Sequence, residues 1–454
     1  MPKAALHNLG CKVNAYETEA MQQQLEERGY EIVPFDQQAD VYIINTCSVT
    51  NIADRKSRQM LHRAKKLNPN AVVVAAGCYV QVAAGALKED PCVDVMIGNN
   101  RKARLADILD EYLKRDGCAD RTAHVLDIAH AEEYESLHVS RIGGHTRAFI
   151  KVQDGCNQFC SYCIIPYARG RVRSRKPEEV VAEAEGLAAR GFKEVVLTGI
   201  HLSSYGTEHM EGSPVKGGDW DSGPLWDLIE RIHGVKGLER IRLGSLEPRI
   251  ITKEFAARLA GLPKFCPHFH LSLQSGCNAT LERMNRHYTT EDYLERCHIL
   301  RKVFGNPAIT TDVIVGFPGE TEEEFAVTRE FLEKADFYEM HVFKYSRREG
   351  TRAAVMKDQV PEQVKALRSD ILLKLEQNMS RRYRQSFVGT RVSVLFEEAA
   401  EIEGRRYMTG HTPQYVKAGL LIDDSMDERT LSGQILELTA AGLPDSQLLE
   451  VKFS

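Results

Sequence analysis

Cys11, Cys47 and Cys78 constrain this chain more than any other feature, because each closes an apolar run read as a strand. Residues 3–9 end at Gly10-Cys11, the β-branched run 41–44 at Asn45-Thr46-Cys47, and residues 71–75 at Gly77-Cys78. Helical periodicity fills the gaps. One helix is expected over 16–28, stopped by Gly29, and a polar one over 51–67, closed by Asn68-Pro69. A strand at 93–97 and a helix at 101–115 follow. Short strands alternating with helices imply parallel βαβ units and a doubly wound sheet, whose carboxyl edge is where ligands bind. The spacings of 36 and 31 residues are those of whole βα units, so the fold brings three thiols to that edge. Three converging thiolates suit a soft metal or an iron–sulfur cluster with one open position. A small buried residue at a strand end would explain one such cysteine better than three.

A second set lies on one loop. Residues 149–153 read as a strand, followed by Cys156, Cys160 and Cys163 in the pattern C-x3-C-x2-C. Structural zinc sites use paired C-x2-C and four ligands, and bacterial ferredoxins use a longer run ending in C-P. Three cysteines on a tight loop can hold three irons of a four-iron cluster, leaving the fourth for an exogenous ligand. Cys92, Cys118, Cys266, Cys277 and Cys297 have no partner at ligand spacing and read as buried filler or surface thiols. The first twelve residues lack the apolar core of a secretory signal, and no apolar run approaches the 18 or so residues of a membrane span. With 43% apolar and 27% charged residues the expectation is a globular cytoplasmic protein, where cysteines stay reduced.

At the C-x3-C-x2-C loop the chain resembles the radical S-adenosylmethionine (SAM) superfamily. The resemblance implies a 4Fe-4S cluster on Cys156, Cys160 and Cys163 whose open iron binds SAM, and it places Tyr162 against the adenine. Further strands are expected at 194–197, 240–243, 268–273, 309–315 and 339–343, with helices at 178–189, 225–233, 252–259, 292–304 and 322–334. Six strands are too few for a closed eight-stranded barrel and fit the superfamily's open (β/α)6 partial barrel. Strand-end residues are candidate SAM or substrate contacts: Thr198 and Gly199, Ser245, Glu247, Gln274, Asp312 and Gly316. The superfamily often carries Gly-Gly-Glu where this chain has Leu197-Thr198-Gly199.

Basic runs adjoin both cysteine sets. Arg58 and Arg63 belong to a helix with six cations, and Arg169, Arg171, Arg173 and Arg175 directly follow the cluster loop. They point to a polyanion, most simply a nucleic-acid backbone. A long helix is expected over 360–386. Beyond it an alternating pattern looks like a small β-barrel similar to the TRAM domain. From residue 386 onward six Lys+Arg face eleven Asp+Glu, so either RNA binding there falls to local groups such as Arg405, Arg406, Tyr407 and Tyr415, or the barrel serves another purpose.

The whole constellation resembles the methylthiotransferases of the radical-SAM superfamily. The expected domains are an α/β unit over 1–118, a radical-SAM partial barrel over 142–376 and a TRAM-like barrel over 379–446. Gly10-Cys11-Lys12-Val13-Asn14, Asn45-Thr46-Cys47-Ser48-Val49-Thr50-Asn51 and the Cys156 to Arg175 segment resemble the branch acting on N6-threonylcarbamoyladenosine in tRNA. The isopentenyladenosine branch tends to carry Gly-Cys-Gln-Met-Asn, and the ribosomal-protein branch Gly-Cys-Pro-Lys-Asn. The resemblance implies an auxiliary 4Fe-4S cluster on Cys11, Cys47 and Cys78, carrying the sulfur to be transferred. A first SAM methylates that sulfur, and a second yields the 5′-deoxyadenosyl radical that takes hydrogen from adenine C2. It also implies a tRNA anticodon stem-loop as partner, a flavodoxin- or ferredoxin-like electron donor and a sulfur source. Rival readings are the same chemistry on isopentenyladenosine or a ribosomal-protein aspartate, and a non-catalytic zinc-bound RNA-binding protein. Oligomeric state is open at this level.

Overall fold

A computed structural model describes residues 1–114, 121–139, 146–209, 222–423, 426–445 and 447–453. The expected domain borders at 118, 142 and 446, and Cys118, lie outside the described residues.

The amino-terminal sheet has six parallel strands: β1 (Lys3–Asn8), β2 (Glu31–Ile32), β3 (Val41–Thr46), β4 (Val72–Gly77), β5 (Val95–Ile97) and β6 (Thr122–His124), in the order β2-β1-β3-β4-β5-β6. The two-residue β2 and three-residue β6 are too short for periodicity to reveal. Helices α1 (Lys12–Glu27), α2 (Asn51–Leu67), α3 (Cys78–Lys88) and α4 (Leu105–Leu113) complete the unit. α2 matches the expected span, and the Thr50 side chain accepts from Ala53 N at its start. α1 starts four residues before its apolar periodicity, with Cys11 in extended conformation at the N-cap.

The central unit is an arc of parallel strands: β7 (Arg147–Asp154), β9 (Glu194–Gly199), β10 (Arg240–Leu243), β11 (His268–His270), β12 (Ala308–Val315) and β13 (Glu339–Lys344). A bridge between Leu246 and Leu271 joins β10 to β11, and the short β8 (Arg173–Ser174) runs antiparallel on the β7 edge. Six parallel strands in one open arc match the expected partial barrel. Helices α5 (Ile165–Arg169), α6 (Pro177–Ala189), α7 (Gly223–His233), α8 (Lys253–Ala260), α9 (Asn278–Arg283), α10 (Thr290–Phe304) and α11 (Glu322–Ala335) follow in turn.

Strand alternation separates two faces. Ile150, Val195, Leu197, Ile241, Phe269, Val313 and Met340 pack outward in the main core. Arg147, Glu194, Arg242, His268, His270, Asp312 and His341 alternate with them, so the inner face of the arc is charged.

Helix α12 (Glu362–Gln385) leads into a closed barrel of β14 (Arg391–Ile402), β15 (Arg405–His411), β16 (Lys417–Leu421), β17 (Ile435–Gly442) and β18 (Leu449–Lys452), with the short α13 (Glu428–Leu431) between β16 and β17. Among the described residues no helix is long and apolar enough to cross a membrane.

Candidate functional site

Cys11, Cys47 and Cys78 follow β1, β3 and β4, which are neighbours in the sheet with Asn8 opposite Asn45 and Thr46 opposite Gly77. Gly10 has φ +102°, and a Cβ there would sit 2.8 Å from the Cys47 Sγ, so the turn needs glycine. Burial first, then Cys78 and Cys11, push the Cys47 thiol up to about 11. Cys11 is exposed as a residue, yet desolvation of its thiol raises its pKa, with Cys78 adding to the rise and Arg169 opposing it. The Cys78 Sγ accepts from Asn99 Nδ2 at 3.5 Å and from Arg169 Nε at 3.3 Å.

The second set begins where β7 ends. Gly155 has φ +73°, and a Cβ there would lie 1.8 Å from the Arg171 carbonyl oxygen, so the chain turns into the cysteine loop against its own return segment. Cys156 N donates to Gly170 O at 3.0 Å. The turn after α9 clamps the loop: Ser161 N donates to Met284 O at 2.9 Å and Asn285 Nδ2 to Phe159 O at 3.1 Å. Arg286 Nη1 donates to the Cys160 Sγ at 3.3 Å. Burial, then Cys160, push the Cys156 thiol up to about 12, and burial with both neighbouring thiols raises Cys163 further. All six cysteines are free thiols. In each set one sulfur accepts from a guanidinium, an arrangement that suits the negative charge of a thiolate-ligated iron–sulfur cluster.

A buried ion network joins the two sets. Glu17 on α1 accepts from Lys151 at 2.8 Å, from Arg169 at 2.8 Å and from Lys102. Asp154 accepts from Lys151 at 2.6 Å and Arg169 at 3.2 Å, and its backbone leads through Gly155 to Cys156. One guanidinium therefore touches Cys78 and the residue that opens the second loop. Two carboxylates face four cations here, Arg173 lying 4.0 Å from Asp154, so the network beside the Cys78 sulfur carries excess positive charge.

This network corrects the reading of the basic run as an RNA surface. Arg169, Arg173 and Arg175 are 0%, 2% and 1% exposed. Arg173 donates to Arg169 O at 2.9 Å, and Arg175 is paired with Glu183 at 2.5 Å and with the Tyr16 hydroxyl at 3.3 Å. Arg58, Arg63 and Arg171 are exposed, Arg58 donating to the Tyr79 hydroxyl and Arg171 lying over the Phe159 ring.

The strand-end candidates divide. Thr198 is buried, Ser245 is exposed, and Gly199 lies against the Gln153 side chain. Glu247 caps the turn Pro248–Ile250 and pairs with Arg249 at 2.8 Å. Gln274, at φ +75°, continues the sheet through backbone bonds to Asp312 and Ile314. A Cβ on Gly316 would lie 2.3 Å from Lys365 Cγ, so that glycine serves the approach of α12. Tyr162 packs edge-on against Phe317, centroids 6.4 Å apart. Asp312 groups with His270 and His341 on the inner face. Cys266, Cys277 and Cys297 are buried as expected, whereas Cys92 lies beside Asp90 and His62, which bond to each other at 2.8 Å.

Sequence reasoning missed Arg286, His201 and Lys12. Burial, then Arg286 and Arg249, push His201 down to about 3, so its imidazole is neutral. Burial, then Arg242 and Arg147, push Lys12 down to about 8.

Residues 150–332 match the Radical SAM superfamily, and residues 3–98 match an uncharacterized protein family, UPF0004. The chain is 41% identical to the threonylcarbamoyladenosine tRNA methylthiotransferase MtaB of Bacillus subtilis, over 98% of this chain and 95% of that protein. The chain belongs to the radical-SAM methylthiotransferase family. A methylthiotransferase of Caldicellulosiruptor saccharolyticus, a tRNA-2-methylthio-N6-dimethylallyladenosine synthase, is 36% identical over 87% of this chain and 83% of its own. Among solved structures, the radical-SAM methyltransferase TsrM from Kitasatospora setae, with cobalamin and a 4Fe-4S cluster bound, has a TM-score of 0.58 at 16% identity. The overlap covers 78% of this chain and 77% of TsrM, and shows a shared fold.

Proposed function

We propose that this methylthiotransferase acts on C2 of N6-threonylcarbamoyladenosine next to the tRNA anticodon. Cys156, Cys160 and Cys163 hold one 4Fe-4S cluster, and Cys11, Cys47 and Cys78 hold a second. Two three-cysteine sets bridged by Arg169 carry the reading of the chemistry. The substrate rests on likeness to MtaB over nearly the whole chain. When bound, the clusters supply an electron to SAM and a sulfur for transfer, with one SAM as methyl donor and another as radical source.

The chain's own residues hold and orient. Arg286 and Arg169 offset thiolate charge, and the packed network around Glu17 keeps water from the boundary between the two sets. The adenine C2–H is too weak an acid for any side chain to ionise at pH 7, so the polar inner face orients the base rather than deprotonating it. Arg58, Arg63 and Arg171 contact RNA phosphates. A one-electron donor of flavodoxin or ferredoxin type and an external sulfur source complete the cycle. The units over 1–118 and 142–376 form the two halves of the site, with 379–446 as the accessory barrel.

Nucleoside mass spectrometry of total tRNA from a strain lacking the gene tests the substrate. The expected result is loss of 2-methylthio-N6-threonylcarbamoyladenosine with accumulation of its unthiolated precursor. Persistence of that nucleoside would overturn the assignment. In purified enzyme, Cys160→Ala should abolish SAM cleavage to 5′-deoxyadenosine. Cys47→Ala should retain cleavage and yield no thiolated RNA, and a thiolated product from it would refute the division of labour.

A further inference from the structure

Among the described residues, Arg147, Lys151, Arg240 and Arg242 on the inner face each lie beside a carboxylate. Arg242 donates to Glu194 at 2.7 Å, and Arg240 stands 3.7 Å from the same carboxylate. Arg147 lies 3.1 Å from Glu397, and Lys151 is taken by Glu17 and Asp154. Lys12 is the first residue of α1, which packs against β7 and β9, where Arg147 and Glu194 stand opposite each other. Its ammonium is within electrostatic reach of Arg242, Arg147 and Glu194, and also of His268. Among the described residues its ammonium has no hydrogen-bonding or ion-pairing partner. The carboxylate in reach, Glu194, is already committed to two arginines. Lys12 is exposed as a residue although its ammonium is desolvated by its surroundings, so an anion can reach it beside those arginines. An anionic group arriving there finds an ammonium ready to pair with it.

We propose that Lys12 Nζ is the carboxylate-binding group of the substrate pocket. It pairs with the threonyl carboxylate of N6-threonylcarbamoyladenosine and so selects an acidic N6 substituent over an apolar one. This rests on the substrate reading above. The threonyl carboxylate is the one charged group on that base, and a charge-assisted hydrogen bond in a crowded site outweighs its surface equivalent. Because Lys12 adjoins Cys11, the same contact holds the base within a side chain's reach of the first cysteine set.

An RNA phosphate is the other anion that could meet Lys12, and binding measurements separate the two. Reconstituted enzyme without SAM is titrated by fluorescence anisotropy against three anticodon stem-loops. They carry N6-threonylcarbamoyladenosine, its threonyl methyl ester, or plain adenosine. The wild-type enzyme should bind the acid about tenfold or more tightly than the ester. Lys12→Gln should lose that preference at unchanged iron content, and Lys12→Arg should keep it. A preference that survives in Lys12→Gln, or equal binding of acid and ester by the wild type, overturns the assignment. Uniform weakening of all three RNAs in Lys12→Gln overturns it in favour of a phosphate contact. With SAM added, failure of the wild type to methylthiolate the acid-bearing loop would instead refute the substrate. Success there, with preference retained in Lys12→Gln, refutes Lys12 alone.

Discussion

Arg286 shows how one side chain sets the character of a cysteine loop it does not belong to. It donates to the Cys160 Sγ at 3.3 Å and to Ser272 O at 3.1 Å, and it lies over the Tyr288 ring at 4.8 Å. A cation bonded to a thiolate favours the reduced, more negative state of whatever the thiolates hold. Arg286→Met should therefore lower the reduction potential of the cluster on that loop and slow SAM cleavage about 10–100-fold. A redox titration followed by electron paramagnetic resonance, with 5′-deoxyadenosine release as rate, checks both. An unchanged potential would reduce Arg286 to a packing role. The cysteines were legible because their spacing is local. Arg286 was not, since it lies 126 residues from Cys160 and no periodicity connects them.

Helix α1 ties the two large units through Glu17, whose carboxylate is buried. Despite desolvation, Arg169, Lys102 and Lys151 hold it well below the usual carboxylate range, and Asp154 is likewise held down against burial by Lys151 and Arg169. Glu17→Gln leaves those cations uncompensated and should cost about 3–5 kcal/mol, read from thermal or denaturant unfolding. Both carboxylates have folded pKa values below their unfolded ones. Their contribution is thus full above the unfolded value of about 4 and is lost as pH falls further. Melting temperature should drop steeply below about pH 4 in the wild type and less steeply in Glu17→Gln; parallel curves would show the network contributes nothing. The same element explains a misreading. A run such as Arg169-Gly170-Arg171-Val172-Arg173 looks like a phosphate-binding stripe because its counter-ions are remote, Glu17 lying 152 residues from Arg169. Most strands and helices of the two large units were legible from apolar periodicity; β2, β6 and β8 are shorter than the pattern needed to see them, and the sequence reading also misses α3, α5 and α9.

At the scale of the whole chain, the carboxyl-terminal barrel is docked onto the arc. Tyr415 lies under both Arg147 and Arg242, each 4.8 Å from its ring, and stacks on His411 with centroids 4.4 Å apart. Arg240 and Arg242 donate to the His411 and Pro413 carbonyls at 2.9 and 2.8 Å. Tyr407 is buried and bonds Glu450. Neither tyrosine is a free stacking platform, which removes both from the local groups offered for RNA binding; composition does not reveal which aromatic faces a neighbouring unit. Each cation–π contact is worth about 0.5–2 kcal/mol. Tyr415→Ala should loosen the barrel and speed proteolytic cutting between α12 and β14, and an unchanged digestion pattern would show that the carbonyl contacts suffice. The Glu17 network also has a consequence for synthesis. Arg169 leaves the ribosome 152 residues after Glu17, about 8–30 s later at 5–20 residues per second. For the first 134 residues of that interval the nascent first unit carries an acid whose cations at 151 and 169 do not yet exist. Its thiol edge is therefore finished only by chain still to come, and loading of the proposed second cluster would follow translation of the arc.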